Sequence, residues 1–130
     1  MEFKSLTPNV MVKNVQETVS FYENVLGFKM VNSVVEDNGV MVWAMVSLGG
    51  VSFMFQEEAS LKADLPVFKD VKTGASLTFY IDVVGVKALY KNLRDKVDFL
   101  TDLSDTFYGS VEFSIRDVNG YVLTFAERAE

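Results

Sequence analysis

The chain has 130 residues, of which 49% are hydrophobic and 23% are charged. This composition is typical of a folded globular domain and excludes a disordered chain. The sequence contains no cysteine and no histidine, which excludes disulfides, thiolate nucleophiles and imidazole ligands for a metal. The formal net charge of −6 disfavours nucleic acid and anionic membranes as partners.

Nothing near the amino terminus resembles a targeting segment. The first residues include the acidic Glu2, and no apolar run of signal-peptide length follows. The longest apolar stretch, residues 40–46, is far shorter than the ~20 residues that a membrane helix needs. We therefore expect a cytoplasmic protein with no membrane partner.

The first half of the chain predicts a strand, a helix and three further strands. A strand over residues 6–12 precedes a helix that Asn14 caps, with Glu17 at the capping-box position. Apolar residues recur at helical spacing from Val15 to Leu26, and Gly27 ends the helix. A strand over residues 29–35 and a hairpin over residues 39–55 follow.

The second half repeats this order after a charged segment, residues 58–74, which we interpret as a surface linker with at most one helical turn. A strand over residues 77–81 leads into a helix carrying Val86, Tyr90 and Leu93. A strand over residues 97–100 and a hairpin over residues 109–125 complete the half.

The two hairpins echo each other at an offset of 70 residues, since Gly39, Gly50 and Phe55 match Gly109, Gly120 and Phe125. We therefore predict an α+β fold of two tandem βαβββ modules in a single domain over residues 1–130. Module 1 would cover about residues 5–57 and module 2 about residues 75–127.

Strand periodicity gives each hairpin two faces. With three-residue turns that end at Gly50 and Gly120, Ser114 would lie opposite Thr124, Glu112 opposite Ala126, Ala44 opposite Met54, and Val42 opposite Gln56. The face predicted to pack under the helices holds Trp43, Met45, Phe53, Phe55, Phe113, Ile115, Leu123 and Phe125. The opposite face holds Val42, Ala44, Val46, Ser52, Met54, Gln56, Glu112, Ser114, Arg116, Val122 and Thr124, with Thr7, Asn9, Met11, Thr78 and Tyr80 from the first strands. Small and polar residues of this kind do not form a core, so this face is where we expect function.

Two motifs resemble a known superfamily. Residues 21–28 read FYENVLGF, and residues 117–121 read DVNGY. With the duplicated pattern, they resemble the glyoxalase, bleomycin-resistance and extradiol-dioxygenase (vicinal oxygen chelate) superfamily, and the bleomycin-resistance branch in particular. The resemblance implies incomplete barrels built by the two modules, and a homodimer.

In the metal-dependent members of that superfamily, first and last strands supply His, Glu or Gln ligands. The corresponding positions here are Thr7, Met54, Thr78 and Thr124. Hydroxyls and a thioether do not replace imidazoles and carboxylates around a divalent transition metal. We therefore predict no metal and no cofactor, and we do not expect glyoxalase, dioxygenase or epimerase activity.

The leading hypothesis is metal-independent binding or sequestration of a small, cationic or aromatic molecule. Its predicted binding residues are Asn9, Gln56, Tyr80, Phe107, Tyr108, Glu112, Ser114 and Thr124. Glu112 would bind the cation, unless it is a solvent-facing or Arg116-paired residue of the strand. Two alternatives stay open: a superfamily enzyme with a lost or relocated metal site that uses Glu112, Gln56 and Tyr80, and a structural dimer without a ligand.

Overall fold

The computed structural model describes residues 1–129, which form two four-stranded mixed sheets and three α-helices. The sheets are not closed, and the predicted α+β fold of two βαβββ modules is confirmed. The chain divides into two compact units, residues 1–73 and the remainder from Gly74 onward. Within residues 1–129, no helix is both long and apolar enough to cross a bilayer.

The first unit contains one complete module followed by two short helices. Its elements are β1 (Asn9–Val12), α1 (Val15–Asn24), β2 (Lys29–Val35), β3 (Met41–Leu48), β4 (Val51–Glu57), α2 (Glu58–Asp64) and a 3₁₀ helix (Pro66–Phe68). The strand order is β1-β4-β3-β2, and β1 pairs with β4 in parallel.

The second unit repeats the module. Its elements are β5 (Thr78–Asp82), α3 (Val86–Leu93), β6 (Asp98–Asp105), β7 (Ser110–Arg116) and β8 (Val122–Arg128). The strand order β5-β8-β7-β6 and the parallel pairing of β5 with β8 match those of the first sheet.

Helix α1 begins and ends where the sequence predicts. The side chain of Asn14 accepts a hydrogen bond of 2.8 Å from the Glu17 backbone N–H, which satisfies one of the unpaired amides of the first turn. The chain leaves the helix through Gly27 at φ +86°, a conformation that glycine adopts without strain.

Each sheet buries one face in an aromatic cluster. In the first unit, Tyr22 of α1 packs with its ring centroid 4.8 Å from Phe55 and 5.5 Å from Phe53. In the second unit, Phe113 lies 5.3 Å from Tyr90 of α3 and 5.2 Å from Phe125. Burial of such rings contributes roughly 1.5–3 kcal/mol each before the entropic cost.

Some element boundaries differ from the prediction. Strand β1 begins at Asn9 rather than residue 6, and β6 extends to Asp105 rather than ending at residue 100. The predicted linker contains the seven-residue helix α2 and a 3₁₀ helix. Leu61 explains the helix, because its buried side chain anchors α2 to the unit in spite of the surrounding charge.

The hairpin registers confirm one prediction and correct the other. In the second hairpin, Ser114 pairs with Thr124 and Glu112 with Ala126, as predicted. In the first hairpin, Leu48 pairs with Val51, so Gly49 and Gly50 form a two-residue turn instead of a three-residue one. Two consecutive glycines favour the shorter turn because they adopt the conformations that it requires.

The shift of one residue exchanges the faces of β3, since side chains alternate along a strand. Ala44 and Val46 pair with Phe55 and Phe53 and are fully buried on the core face. The predictions that Trp43 and Met45 belong to the core face, and that Val42 shares a face with Gln56, are therefore wrong. Trp43 pairs with Gln56 and Met45 with Met54, on the face away from Phe53 and Phe55, and both are only partly buried.

The corrected register makes a testable prediction about Ala44. Replacement Ala44→Leu adds volume to a filled core and should lower the free energy of unfolding by roughly 1–3 kcal/mol. Met45→Leu, on the neighbouring position of the opposite face, is the matched control and should change it by less than about 1.5 kcal/mol. Urea denaturation measures both. A fully tolerated leucine at position 44 would mean that the longer turn is the right one.

Candidate functional site

The polar face of the second sheet holds four of the eight predicted binding residues, and two more lie in the turn beside it. We define it by six side chains on β5, β7 and β8: Thr78, Tyr80, Ser110, Glu112, Ser114 and Thr124. Tyr80 pairs with Thr124, which in turn pairs with Ser114. Cross-strand partners project on the same side of a sheet, so these residues share the face opposite Phe113 and Phe125.

Glu112 is the centre of this face. Its carboxylate accepts hydrogen bonds from the hydroxyls of Tyr80, of Tyr108 at 2.8 Å, and of Ser110 at 2.6 Å. Ser110 is buried, and it is held in place because its own N–H donates to Thr106 Oγ1 at 3.1 Å. A single carboxylate thus collects three hydroxyl donors from two strands and one turn.

Tyr80 reaches Glu112 across the strand that separates them. Strand β8 lies between β5 and β7 in the sheet, and the side chains that it places on this face near Glu112 are Thr124 and Ala126. Both are short, so the phenol of Tyr80 extends over them to the carboxylate.

The hydrogen bonds determine the ionisation of Glu112. Burial alone raises the pKa of its carboxyl, but the hydrogen bonds from Ser110, Tyr80 and Tyr108 together outweigh burial and hold the pKa below its ordinary value. The same contact with Glu112 raises the pKa of the Tyr108 hydroxyl, because ionised tyrosine would lose that hydrogen bond. Near neutral pH the face therefore holds the ionised carboxylate of Glu112 beside the neutral phenol of Tyr108.

A row of hydroxyls crosses the sheet beside Glu112. Thr78 Oγ1 lies 3.1 Å from Thr124 Oγ1, which lies 2.7 Å from Ser114 Oγ. On the far side, the Ser114 N–H donates to Thr101 Oγ1 at 2.9 Å. The row of three hydroxyls therefore spans β5, β8 and β7 and connects three of the six residues of the polar face, and the backbone of Ser114 links it to Thr101 on β6.

Aromatic rings border the polar face at the turn between β6 and β7. Phe107 and Tyr108 are in edge contact, with ring centroids 5.0 Å apart. Phe107 is fully exposed, Tyr108 is 52% exposed and Tyr80 is 44% exposed. This exposure of large rings beside a carboxylate is unusual for residues whose only role is structural.

The other two predicted binding residues, Asn9 and Gln56, lie in the first unit and contact each other. Gln56 Oε1 accepts from Asn9 Nδ2 at 2.9 Å, and its Nε2 donates to Ser60 at 3.0 Å and to Asp64 at 2.8 Å. These contacts use the amide of the buried Gln56 to attach α2 to the sheet.

Ser110 was missed, although it lies two residues before Glu112 and therefore on the same face by strand periodicity. Arg116 does not pair with Glu112; its Nη1 lies 3.3 Å from Asp98 Oδ2 at the exposed end of the hairpin.

The donor set at the four positions carried over from the metal-dependent relatives does not fit a transition metal. The hydroxyls of Thr78 and Thr124 bind each other, and the other two positions are Thr7 and the thioether of Met54. Among residues 1–129, no three acidic side chains converge. The geometry therefore suits hydrogen bonding to a ligand rather than Lewis-acid chemistry.

The sequence matches the family model of the Glyoxalase/Bleomycin resistance protein/Dioxygenase superfamily over residues 5–125. The match covers nearly the whole chain, so the chain belongs to this superfamily. A comparison with curated protein sequences returns no match.

Solved structures share the fold along their full length. The bleomycin-binding protein of bleomycin-producing Streptomyces verticillus, solved with copper(II)-bleomycin, is 22% identical with a TM-score of 0.66, and the alignment covers 100% of this chain and 99% of that chain. TnmS3, an antibiotic binding protein from Streptomyces sp. CB03234, is 18% identical with a TM-score of 0.73 over 99% of both chains. A glyoxalase-related enzyme from Clostridium phytofermentans is also 18% identical with a TM-score of 0.73, over 99% of this chain and 98% of that chain.

The hydrogen bonds of Glu112 predict how stability depends on pH. Since folding lowers the pKa of Glu112 from its ordinary 4.5, the ionised carboxylate stabilises the fold above that pH, and the contribution is lost as the pH falls through the folded pKa. Glu112→Gln should lower the free energy of unfolding by about 1 kcal/mol at pH 7, and the deficit should shrink below pH 4.5.

Urea denaturation between pH 3 and pH 8 measures this dependence. Glu36→Gln is the control, because Glu36 is exposed and its side chain has no hydrogen bond to a described residue. A deficit for Glu112→Gln that is the same at both ends of the pH range would contradict the ionic origin of the stabilisation.

Proposed function

We propose that the protein is a cytoplasmic binding protein whose second-sheet polar face captures a small cationic or aromatic molecule without making or breaking a bond. The observation that carries the proposal is the convergence of the Ser110, Tyr80 and Tyr108 hydroxyls on the carboxylate of Glu112, on a face where both tyrosines are partly exposed. No resident transition metal is required. The binding residues in this proposal are Tyr80, Phe107, Tyr108, Glu112, Ser114 and Thr124.

The hydrogen bonds around Glu112 leave room for a cation. Its Oε2 oxygen accepts from Ser110 and Tyr80 and lies 2.8 Å from the Tyr108 hydroxyl, whereas among residues 1–129 only Tyr108 donates a hydrogen bond to Oε1. Because a carboxylate has about four lone-pair positions, Oε1 retains capacity for a ligand. A charge-assisted hydrogen bond to that oxygen is roughly twice as strong as a neutral one.

The exposed rings favour a flat or positively charged ligand. Phe107, Tyr108 and Tyr80 present aromatic surface close to the negative charge of Glu112. Aromatic faces attract cations and stack on planar groups, and each such contact contributes about 0.5–1.5 kcal/mol. The hydroxyls of Ser114 and Thr124 supply hydrogen-bonding partners on the same surface.

The structural neighbours support a binding role. One was solved with copper(II)-bleomycin and another is described as an antibiotic binding protein. The polar face, with its carboxylate beside exposed rings, is suited to bind a small cationic or aromatic molecule. A glyoxalase-related enzyme is equally similar in fold, so the argument rests on the residues of the face and not on the fold.

The ionisation of the face favours binding over acid–base catalysis. A general base or acid works best with a pKa near the working pH. Here the pKa of Glu112 is lowered and that of Tyr108 is raised, so each moves away from neutrality. The enzyme alternative would also use Gln56, but the amide of Gln56 already donates to Ser60 and Asp64 and attaches α2 to the sheet. These features support the binding hypothesis over the enzyme.

Calorimetric titration with metal-free bleomycin, together with a thermal-shift screen of cationic and aromatic small molecules, tests the proposal. A ligand should raise the unfolding midpoint by mass action. Glu112→Gln should weaken the binding of a cationic ligand about tenfold or more, since it removes one charge-assisted contact. Glu36→Gln changes the net charge equally and should leave the affinity unchanged.

Three outcomes would count against the proposal. Equal affinity of the Glu112→Gln variant would remove that residue from the site. A stoichiometric transition metal in the purified protein would favour the enzyme alternative. If no compound shifts the midpoint, the structural dimer becomes the better interpretation.

We also propose that the protein is a homodimer, as the family resemblance implies. Strand β2 supports this proposal, because it is an edge strand that exposes Met30, Val31, Val34 and Val35, and exposed apolar edges are often covered by a partner. Light scattering on a size-exclusion column should give twice the 14.6 kDa of one chain. A mass of a single chain at all concentrations would contradict the dimer.

A further inference from the structure

A cavity lined only by residues of the first unit lies beside helix α2. It has a volume of about 370 Å³, and four lysines line it, Lys13, Lys62, Lys69 and Lys72, together with two carboxylates, Glu58 and Asp70. Small-molecule sites in proteins usually begin at about 300 Å³, so the cavity is large enough for a compact ligand.

The charge of this cavity is opposite to that of the chain. Four lysines against two carboxylates give +2, while the whole chain carries −6. One third of the 12 Lys and Arg residues thus line this one cavity, with only two of the 18 acidic residues. Such a concentration of one sign in a concave surface attracts ligands of the other sign.

Glu58 organises the wall of the cavity. Its Oε1 lies 3.3 Å from Lys62 Nζ, and its Oε2 accepts a hydrogen bond of 2.8 Å from Thr73 Oγ1. The contact with Thr73 attaches the segment 69–73 to the first turn of α2. Because Glu58 has these two partners, its negative charge is already compensated within the wall.

Lys69 and Lys72 are the cations that remain available to a ligand. Both are exposed, and neither forms a side-chain hydrogen bond or an ion pair with a residue in 1–129. They flank Asp70 on the segment that Thr73 attaches to α2. An anion bound here would contact these two ammonium groups without first breaking an ion pair.

We propose that this cavity binds the phosphate dianion, either as inorganic phosphate or as the phosphoryl group of a small monoester. A dianion balances the local +2 charge, whereas a monocarboxylate would leave it half compensated. Lysine ammonium groups bind phosphate oxygens as point charges with charge-assisted hydrogen bonds. A phosphate monoester has its second pKa near 6 and is a dianion at neutral pH.

Isothermal titration calorimetry at pH 8 tests the proposal with inorganic phosphate and, separately, with glycerol 3-phosphate, at an ionic strength kept constant with chloride. The double variant Lys69→Gln/Lys72→Gln should weaken binding at least about tenfold, since it removes two charge-assisted contacts. Lys87→Gln/Lys91→Gln on α3 is the matched control, because it removes two exposed lysines from another surface and changes the net charge equally.

The two ligands distinguish the sources of the phosphate. Binding of both supports a site for the free anion, and binding of glycerol 3-phosphate alone supports a site for a phosphoryl group on a larger molecule. The proposal is overturned if neither ligand binds at 10 mM, or if the two double variants lose affinity equally. Glu112→Gln should leave phosphate binding unchanged, so this result is independent of the function proposed for the polar face.

Discussion

Packing of a single helix against one side of each sheet is the constraint on which the rest of the structure depends. Tyr22 of α1 lies among Phe53 and Phe55, and Phe113 lies between α3 and Phe125. With these rings supplying the hydrophobic stabilisation of each unit, the opposite side of the sheet does not have to form a core. That side can therefore hold a carboxylate and a row of hydroxyls at little cost in stability.

Much of the fold could be predicted from the sequence because its local signals agree with each other. The cap at Asn14, the helical spacing of Val15 and Tyr22, and the repetition of Gly39 and Gly50 at Gly109 and Gly120 all indicate the same module twice. The first hairpin was predicted one residue out of register, because both hairpins were given the same three-residue turn, whereas Gly49 and Gly50 form a two-residue turn. That difference of one residue was enough to place Trp43 on the wrong face.

The sequence likewise predicted one part of the candidate site and missed another. Strand alternation alone placed Tyr80, Glu112, Ser114 and Thr124 together, and the observed pairing agrees. The convergence of Tyr80 and Tyr108 on one carboxylate depends on the short Ala126 and on the shape of a turn, which periodicity does not describe. The hydrogen bonds that occupy Gln56 and the wall of the basic cavity both involve α2. This helix lies in the charged segment that was predicted as a surface linker with room for one short helical turn.

The hydroxyl row of the second sheet has a consequence for recognition. Each hydroxyl carries one proton, so the row from Thr78 through Thr124 to Ser114 has two orderly arrangements. In one arrangement, Thr78 donates to Thr124 and Thr124 donates to Ser114, so the Ser114 proton points outward. In the other arrangement, Ser114 donates to Thr124, Thr124 donates to Thr78, and Thr78 donates to the Val122 carbonyl. Ser114 then presents only lone pairs to a ligand. The same surface can therefore either donate a hydrogen bond to a ligand or accept one from it, and only hydrogen atoms move between the two arrangements.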